Sequence, residues 1–224
     1  MKLSNRLNTI NTLITESYDI IWDCCCDHGF LGMAILKRNL ADKIIFVDIV
    51  PALMADLSKT LTRFSCAQTA KQWQVKCQDV GCLELTPSAK QLVIIAGVGG
   101  ELLLKLVQQI IINNTNHDLS KLSFILCPVH HTYSLRKGLH KLGLGLVTEQ
   151  IVLENKRFYE VLHVSFESEQ PISSTGTIMW EENNTAHRMY LCQLIKHYTR
   201  MINKDPVYFQ NVLNDYQQLV ELKT

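Results

Sequence analysis

Residues 20–30 constrain the fold more than any other stretch of the chain. A short apolar run ends in Asp23, a turn with three consecutive cysteines follows, and apolar residues at helical spacing begin at Phe30. This succession of strand, turn and helix is typical of the first unit of an open α/β sheet. Because ligands of such sheets bind beyond the carboxyl ends of the strands, we expect this turn to face a cofactor.

The turn lacks both standard phosphate-binding signatures. Only Gly29 and Gly32 fall in the window, so neither Gly-x-Gly-x-x-Gly nor a Gly-Lys-Ser/Thr loop is present. The carboxylates of Asp23 and Asp27 would repel a pyrophosphate, but they suit a ligand with positive charge. S-adenosylmethionine, with its sulfonium and ammonium groups, is such a ligand. The alternative is a turn in which Asp27 only caps the following helix.

Two further β-rich runs also end in acids. Residues 43–48 end in Asp48, about 20 residues after Gly29, which is the spacing typical of a carboxylate that binds ribose hydroxyls. Residues 74–79 end in Asp79. Acids at three successive strand ends predict one acidic binding edge, although each alone is compatible with a helix cap or a solvated turn.

The fourth and fifth runs, residues 92–96 and 122–127, lead into different turns. The glycine-rich segment 97–100 follows the fourth run, and Pro128 ends the fifth. Glycines allow positive φ or a close approach of the backbone to a ligand, whereas a tight strand-to-helix turn explains only one of the three. Apolar residues at helical spacing follow both runs, so a helix is expected after each.

The pattern changes after residue 145. Residues 146–153 and 158–166 are β-rich and separated by a short polar turn, which predicts a hairpin and an antiparallel last strand. Five βα units closed by a hairpin is the class I methyltransferase arrangement, whereas nicotinamide-binding Rossmann domains usually continue in parallel. We therefore predict an α/β fold with a Rossmann-like, mostly parallel sheet closed by an antiparallel β-hairpin.

The C-terminal part is predicted to be helical. Residues 170–176 are linker-like, one helix is expected from about residue 181 to 202, and a second begins after the N-cap Asp205 at Pro206. Amphipathic helices joined by a short turn pack as an antiparallel pair. The predicted organisation is a methyltransferase domain over residues 1–170 and a coiled-coil-like helical hairpin over residues 177–224.

Composition restricts the location and the metal chemistry. Hydrophobic residues make up 47% and charged residues 19% of the chain, the net charge is +1, and no run approaches the roughly 18 apolar residues of a membrane span. No signal peptide is evident at the start of the sequence, so a cytoplasmic protein without membrane contact is expected. The eight cysteines fit this location as free thiols, and those at 24–26 suit small buried positions. Cys127 with His130 and His131 lacks a second half of a metal site, so no metal is expected.

Several short sequence motifs of the chain resemble those of one family. Its residues 23–31, Asp-x-x-x-Asp-His-Gly-Phe-Leu, resemble the Asp-x-Gly-x-Asp-His-Ala/Gly-Tyr-Leu-Pro motif of bacterial tRNA (adenine-N1)-methyltransferases, which modify adenine 22 of tRNA. Four other segments resemble motifs of that family and follow the same order. Leu3-Ser4-x-Arg6-Leu7-x-x-Ile10 resembles its N-terminal signature, and Gly97-Val98-Gly99-Gly100 resembles its Gly-Met-Gly-Gly motif. Cys127-Pro128 with Leu135-Arg136 resembles its Gln-Pro-Asn loop and the following helix, and Glu154-Asn155-Lys156-Arg157-Phe158-Tyr159-Glu160 resembles its Glu-Asn-Gly-Lys-x-Tyr-Glu hairpin.

The resemblance implies S-adenosylmethionine-dependent methylation of N1 of an adenine in tRNA. By resemblance Asp27 and His28 are the catalytic residues near the transferring methyl group, and Asp27 accepts a hydrogen bond from the adenine amino group. A buried structural imidazole is the alternative for His28. The cofactor-binding residues implied are Asp23, Cys25, Asp48, Ile49, Asp79, Val80 and Gly97. The substrate-binding residues implied are Arg6, Gly99, Gly100, Pro128 and Tyr159.

Departures from the family pattern leave other functions open. Cys25 replaces the motif glycine and is expected to crowd the amino-acid end of the cofactor, Phe30 replaces a tyrosine, and Gly32 replaces a proline. The alternatives are a methyltransferase acting on another RNA or a protein, and an inactive relative that binds RNA or cofactor. The expected partner is tRNA, with phosphate contacts from the first C-terminal helix, and the helical pair is also a candidate homodimer surface.

Overall fold

The computed structural model describes residues 3–64 and 71–222. Its strands are β1 (Tyr18–Cys24), β2 (Ala41–Asp48), β3 (Trp73–Cys77), β4 (Gln91–Ala96), β5 (Leu122–Cys127), β6 (Gly145–Glu154) and β7 (Arg157–Ser165). Its helices are α1 (Asn5–Leu13), α2 (Phe30–Leu36), α3 (Pro51–Phe64), α4 (Gly100–Asn113), α5 (Thr132–Lys141), α6 (Thr185–Met201) and α7 (Pro206–Leu222), and Val80–Cys82 forms a 3-10 turn.

The seven strands of the described residues form one sheet in the order β3-β2-β1-β4-β5-β7-β6. Strands β1 to β5 pair in parallel, whereas β7 is antiparallel to both β5 and β6. The predicted Rossmann-like sheet with an antiparallel closing hairpin is therefore confirmed. Since the first β-strand is flanked by β2 and β4, the strand order reverses at the carboxyl end of β1, where such sheets bind ligands.

Helices cover both faces of the sheet, which explains why its central strands are apolar on both sides. One core contains α1, α2 and α3, with buried side chains such as Ile10, Ile35 and Leu57. The opposite core contains α4 and α5, with Leu103 and Leu139. The strand–turn–helix unit at residues 20–30 is thus held rigidly between two packed layers.

Turn chemistry sets the ends of the closing elements. Helix α5 ends in a Schellman motif, in which the N–H groups of Gly143 and Leu144 donate to the carbonyls of His140 and Leu139. The β6–β7 turn places Asn155 and Lys156 at φ of 48° and 64°, the conformation favoured by two-residue hairpins. The predicted hairpin turn is confirmed.

Two predicted boundaries were wrong. The first C-terminal helix begins at Thr185 rather than near residue 181, because the side chain of Asn184 accepts hydrogen bonds from two backbone N–H groups as an N-cap. The third strand ends at Cys77, two residues before Asp79. The second C-terminal helix begins at Pro206 as predicted, with the N-cap carboxylate of Asp205 accepting from the N–H of Tyr208.

The helical pair packs on the main domain through a third core of aromatic residues. Tyr133 of α5 and Phe158 of β7 contact a cluster that includes Tyr190, Tyr198 and Tyr216 of the helical pair. The predicted linker has no regular secondary structure but is fixed in place, with buried residues at 172 and 175. The division into domains at residues 170 and 177 stays a prediction.

Among the described helices, none is both long and apolar enough to span a bilayer. Seven cysteines are free thiols, and Cys66 lies outside the described residues. Cys24 is buried as expected, whereas Cys25 and Cys26 are half-buried and pack against opposite cores.

Candidate active site

Asp23, at the end of β1, fixes the start of α2. Its carboxylate is 3% exposed and accepts a hydrogen bond of 2.8 Å from the N–H of Gly32. A Cβ on Gly32 would lie 2.2 Å from the ring of Phe46 and 2.8 Å from that carboxylate, so glycine is required for this contact. Burial, together with the negative charge of Asp48, raises the pKa of Asp23 to about 7, against the lowering effect of the Gly32 hydrogen bond.

The turn after β1 has an unusual backbone. Cys25, Asp27 and Gly29 have φ of 53°, 51° and 69°, the left-handed region that favours glycine. Holding Cys25 and Asp27 there costs roughly 1–2 kcal/mol each. Cys25 therefore occupies the family's glycine position with a glycine-like backbone, and its side chain packs partly against the core containing α4.

The thiol of Cys25 is half-buried near the acidic residues of this edge. Burial, followed by the charges of Asp48, Asp23 and Asp79, raises the pKa of Cys25 to about 11. The thiol is therefore protonated and weakly nucleophilic at neutral pH. The three predicted acids lie at the same end of the neighbouring parallel strands β1, β2 and β3, with Asp79 two residues beyond its strand, and negative charge at this edge favours a cationic ligand.

Asp48 accepts two backbone hydrogen bonds at this edge. One carboxylate oxygen accepts from the N–H of Asp27 and the other from the N–H of Val50, both at 3.1 Å. An ionised carboxylate has about four acceptor positions, so two remain for a ligand. The neighbouring Ile49 is 67% exposed, which places a large apolar side chain beside those oxygens.

Asp79 and Val80 differ in accessibility. Asp79 is exposed, and one of its oxygens accepts from the N–H of Gly81 at 2.7 Å. It therefore caps the 3-10 turn, in agreement with the helix-cap alternative for this acid. Val80 belongs to the core and is 4% exposed, which leaves only its backbone for a ligand.

The three glycines after β4 have different neighbours. Gly97 is exposed with φ of 87°, and nothing lies within 4 Å of the Cβ position. A Cβ on Gly99 would lie 2.4 Å from the ring of His130, and one on Gly100 would lie 2.5 Å from the carbonyl of His131. Gly99 and Gly100 thus allow the close approach of the β5–α5 loop, while Gly97 faces open space.

Asp27 and His28 lie on the exposed lip of the turn. Their side chains are 68% and 60% exposed, and His28 Nε2 lies 3.6 Å from a carboxylate oxygen of Asp27. The N-cap of α2 is Gly29 and no side chain caps the helix, so the capping alternative for Asp27 was wrong. The buried-imidazole alternative for His28 was also wrong. His28 instead stacks on exposed Phe30, with ring centroids 5.6 Å apart, a contact that sequence reasoning missed.

Arg6 and Tyr159 form a second group on the β5–β7 side. The backbone N–H of Arg6 donates to Glu154 at 2.9 Å, and its guanidinium lies 4.9 Å from the ring centroid of Tyr159. Pro128, the first residue of the β5–α5 loop, is buried. Glu154, which orients Arg6, was not predicted as a site residue although it stands in the quoted hairpin motif.

Within residues 3–64 and 71–222, no three His, Cys, Asp or Glu side chains lie close enough together to hold a metal ion. Cys127 is buried, and burial raises the pKa of its thiol to about 12. His131 pairs with Glu101 at 3.2 Å.

Comparison with solved structures gives matches along the whole chain. M. capricolum TrmK, solved with S-adenosyl-homocysteine, matches with a TM-score of 0.76 and 18% identity, covering 100% of both chains. The B. subtilis M1A22 tRNA methyltransferase TrmK matches with a TM-score of 0.73 and 20% identity, covering 99% of this chain and 97% of its own. Magnesium protoporphyrin IX methyltransferase from Synechocystis covers only 71% of this chain and 77% of its own, at 12% identity and a TM-score of 0.56. At these identities the likenesses establish the fold.

Sequence comparison gives the family. No curated protein matches the chain. The family model described as methyltransferase domain matches residues 3–162, which include every residue of the acidic edge and the whole sheet up to the middle of β7. The chain therefore belongs to the methyltransferase domain family.

Proposed function

We propose that this protein transfers a methyl group from S-adenosylmethionine to N1 of an adenine in tRNA, at position 22 by family resemblance. The observation that carries the proposal is the exposed pair Asp27 and His28 on an acidic turn whose backbone is tied directly to Asp48. The full-length likeness to two TrmK structures, including the C-terminal helices, supports tRNA as the substrate.

The residues of the acidic edge fit the proposed cofactor. The free acceptor positions of Asp48 suit two ribose hydroxyls, exposed Ile49 suits one face of the cofactor adenine, and the open side of Gly97 allows close backbone approach. The carboxylates around Cys25 suit sulfonium and ammonium groups. When bound, S-adenosylmethionine supplies the electrophilic methyl group.

The protein's part in the reaction is alignment and electrostatics. The N1 lone pair of adenine is itself a nucleophile, so no covalent enzyme intermediate is needed. Asp27 accepts a hydrogen bond from the exocyclic amino group, which becomes more acidic as N1 gains positive charge. His28, held against Phe30, borders the same base. Arg6 and Tyr159 orient the substrate from the opposite side.

The first C-terminal helix provides a surface for RNA phosphates. Its exposed basic side chains are Arg188, Lys196 and Arg200, with His197 beside them and Lys204 just beyond the helix. Electrostatic contacts of this kind supply affinity without sequence information. In this proposal the helical pair positions tRNA and is not needed to bind the cofactor.

Two alternatives remain in competition with this proposal. One is methylation of another RNA or a protein. The other is an inactive relative, suggested by Cys25 and by Cys127-Pro128-Val129 in place of Gln-Pro-Asn. The glycine-like φ of Cys25 favours an intact turn over a blocked one.

The decisive experiment is methylation of unmodified tRNA transcripts with labelled S-adenosylmethionine, followed by nucleoside analysis. We expect 1-methyladenosine, which disappears when adenine 22 is replaced by guanine. If calorimetry shows that S-adenosylmethionine binds but no RNA is methylated, the result would favour the inactive relative. Methylation that persists in the guanine transcript would place the target elsewhere.

Location and assembly are further parts of the proposal. We place the protein in the cytoplasm, where free thiols such as those described here persist. We also predict a homodimer through the helical pair, where Met189 and Val207 are exposed apolar side chains. Analytical sedimentation of the full-length protein measures its oligomeric state. A monomeric full-length protein at micromolar concentration would refute it.

A further inference from the structure

A cleft of about 220 Å³ lies where the β5–α5 loop, the β6–β7 hairpin and the helical pair meet. Aromatic rings from three elements line part of it. Phe158 and Tyr159 of β7 are half-buried, whereas Tyr190 and Tyr198 of α6 and Tyr216 of α7 are buried members of the third core. The acidic edge does not include any of them.

Polar groups of the cleft suit a neutral ligand with hydrogen-bonding edges. His130 and His131 enter it from the loop, and His197 enters from α6, all three exposed. Glu160 is the one acid among the described residues that line it. That carboxylate is 1% exposed and accepts hydrogen bonds from the guanidinium of Arg136 and the hydroxyl of Tyr190, both at 2.8 Å. Because Glu160 is buried and hydrogen-bonded, it places little negative charge on the surface of the cleft.

The cleft is continuous with the proposed substrate side of the active site. The ring of His130, one wall of the cleft, lies against Gly99 in the glycine-rich segment. Tyr159, another wall, lies beneath the guanidinium of Arg6. The glycine-rich segment and the cleft therefore share His130 as a common wall, so one RNA strand can contact both.

We infer that this cleft holds the base of a nucleotide that flanks the methylated adenine, stacked against the half-buried rings of Phe158 and Tyr159 and the exposed histidine rings; the inference rests on the proposed function. Proteins read unpaired RNA by stacking splayed bases on aromatic and histidine rings. At 220 Å³ the cleft is smaller than the roughly 300–1,000 Å³ of sites for drug-sized ligands, so it suits one base rather than a dinucleotide. Lys196 and Arg200, exposed beside His197 on α6, suit the adjoining phosphates.

Two variants test the cleft and one serves as control. Leu194→Trp narrows the cleft, His197→Ala removes one wall, and Gln193→Ala changes an exposed residue of the same helix outside it. We expect the first two to weaken tRNA binding by roughly 5- to 100-fold, the range of one lost base stack. Affinity for S-adenosylmethionine should match that of Gln193→Ala, and cooperative thermal unfolding checks that the variants are folded, since Leu194 packs against the third core.

Transcripts with a single abasic residue identify the occupant. Each nucleotide within two positions of the methylated adenine is made abasic in turn, and both the Kd for tRNA and kcat/KM are measured. We expect one abasic position to weaken wild-type binding, and the same position to cause no further loss in Leu194→Trp. Equal losses in wild type and variant, or variants that bind tRNA like wild type, would overturn the inference and leave the cleft to a protein partner.

The two readouts separate this inference from the proposed function. If the wild-type protein binds tRNA with the expected abasic pattern but methylates no transcript, the proposed function fails and the base cleft stands. If it methylates adenine 22 with no abasic position affecting binding, the function stands and the cleft is refuted.

Discussion

At the scale of residues, the site contains unfavourable backbone conformations and a buried carboxyl group that neighbouring residues stabilise. Cys25 and Asp27 adopt left-handed backbone conformations, and Asp23 is a buried carboxyl group. Asp48 offsets part of this cost because its carboxylate accepts the N–H of Asp27. Such strain persists only where surrounding structure fixes it, and it is concentrated at functional sites.

The raised pKa of Asp23 predicts a specific pH dependence of stability. Its pKa is about 7 in the folded protein and 3.8 in the unfolded chain, so between those values the folded state binds the extra proton. The free energy of unfolding should therefore fall by about 2–4 kcal/mol as pH rises from 4 to 7, and this contribution should level off about one pH unit above the folded-state pKa. Asp23→Asn should remove the slope, as measured by urea unfolding without cofactor. Parallel pH profiles for the two proteins would show that Asp23 is already ionised.

Asp48 should be the principal cofactor acceptor. Asp48→Ala removes a charged acceptor from two ribose hydroxyls, so calorimetry should show S-adenosylmethionine binding weakened by roughly 1.5–3 kcal/mol. Asp42→Ala, an exposed acid of the same strand, is the matched control and should bind normally. Unchanged affinity in folded Asp48→Ala protein would remove Asp48 from the site.

Asp27 should act on the substrate rather than the cofactor. Because its side chain is 68% exposed and only its backbone contacts Asp48, Asp27→Asn should leave the turn intact. Affinity for S-adenosylmethionine should stay within a few-fold while the rate of methyl transfer to tRNA falls sharply. Transfer at the normal rate would show that this carboxylate has no catalytic role.

At the scale of elements, a buried ionic group joins the sheet to the C-terminal segment. Arg136 of α5 contacts Glu149 of β6 at 2.6 Å and Glu160 of β7 at 2.7 Å, and all three side chains are 0–1% exposed. Glu149 also accepts the backbone N–H groups of Thr177 and Ile178. Arg136 also donates to the carbonyl of Ser173, so both the segment predicted as a linker, residues 170–176, and the residues after it are bound to the main domain by charge-assisted hydrogen bonds.

Removal of the cation from this group should be strongly destabilising. Arg136→Met leaves two buried carboxylates without a counter-ion, which costs about 3–5 kcal/mol. Lys141→Met on the exposed last turn of the same helix should change the free energy of unfolding by less than about 0.5 kcal/mol. Denaturant titration measures both, and equal stabilities would mean that the acids are compensated in another way.

Local sequence signals predicted the helices and strands, but they did not predict the contacts between those elements. Apolar runs and Pro206 or Gly143 mark strands and helix ends because those preferences act within a few residues. The partners of Arg136 stand 13 and 24 positions away, and no local pattern selects them. The same limit applies to Gly99, whose neighbour His130 comes from the next βα unit.

At the scale of the whole molecule, the helical pair is part of the packed structure and not an appendage. Tyr190 donates to Glu160, and Asp215 of α7 accepts from the hydroxyls of Tyr133 and Ser174 at 2.7 and 3.0 Å. Truncation after Gly176 would expose this aromatic core and remove a hydrogen-bond donor from buried Glu160. Truncation would therefore lower the stability of the protein as well as remove contacts to RNA, and a binding assay could not separate the two effects. Replacement of exposed charged residues on the helical pair is the better test.

Reversal of the basic face of α6 should weaken tRNA binding without affecting the cofactor. Arg188, Lys196 and Arg200 are exposed, so changing all three to glutamate leaves the core intact. If each contacts one phosphate, the slope of log K against log salt should fall by about 2–3, since each contact contributes roughly 0.7–0.9. Filter binding over a salt series measures the slope, and calorimetry with S-adenosylmethionine should give the wild-type affinity. A triple variant with the wild-type slope would mean that this face of the helical pair does not contact RNA, and that the pair serves to complete the aromatic core and the base cleft.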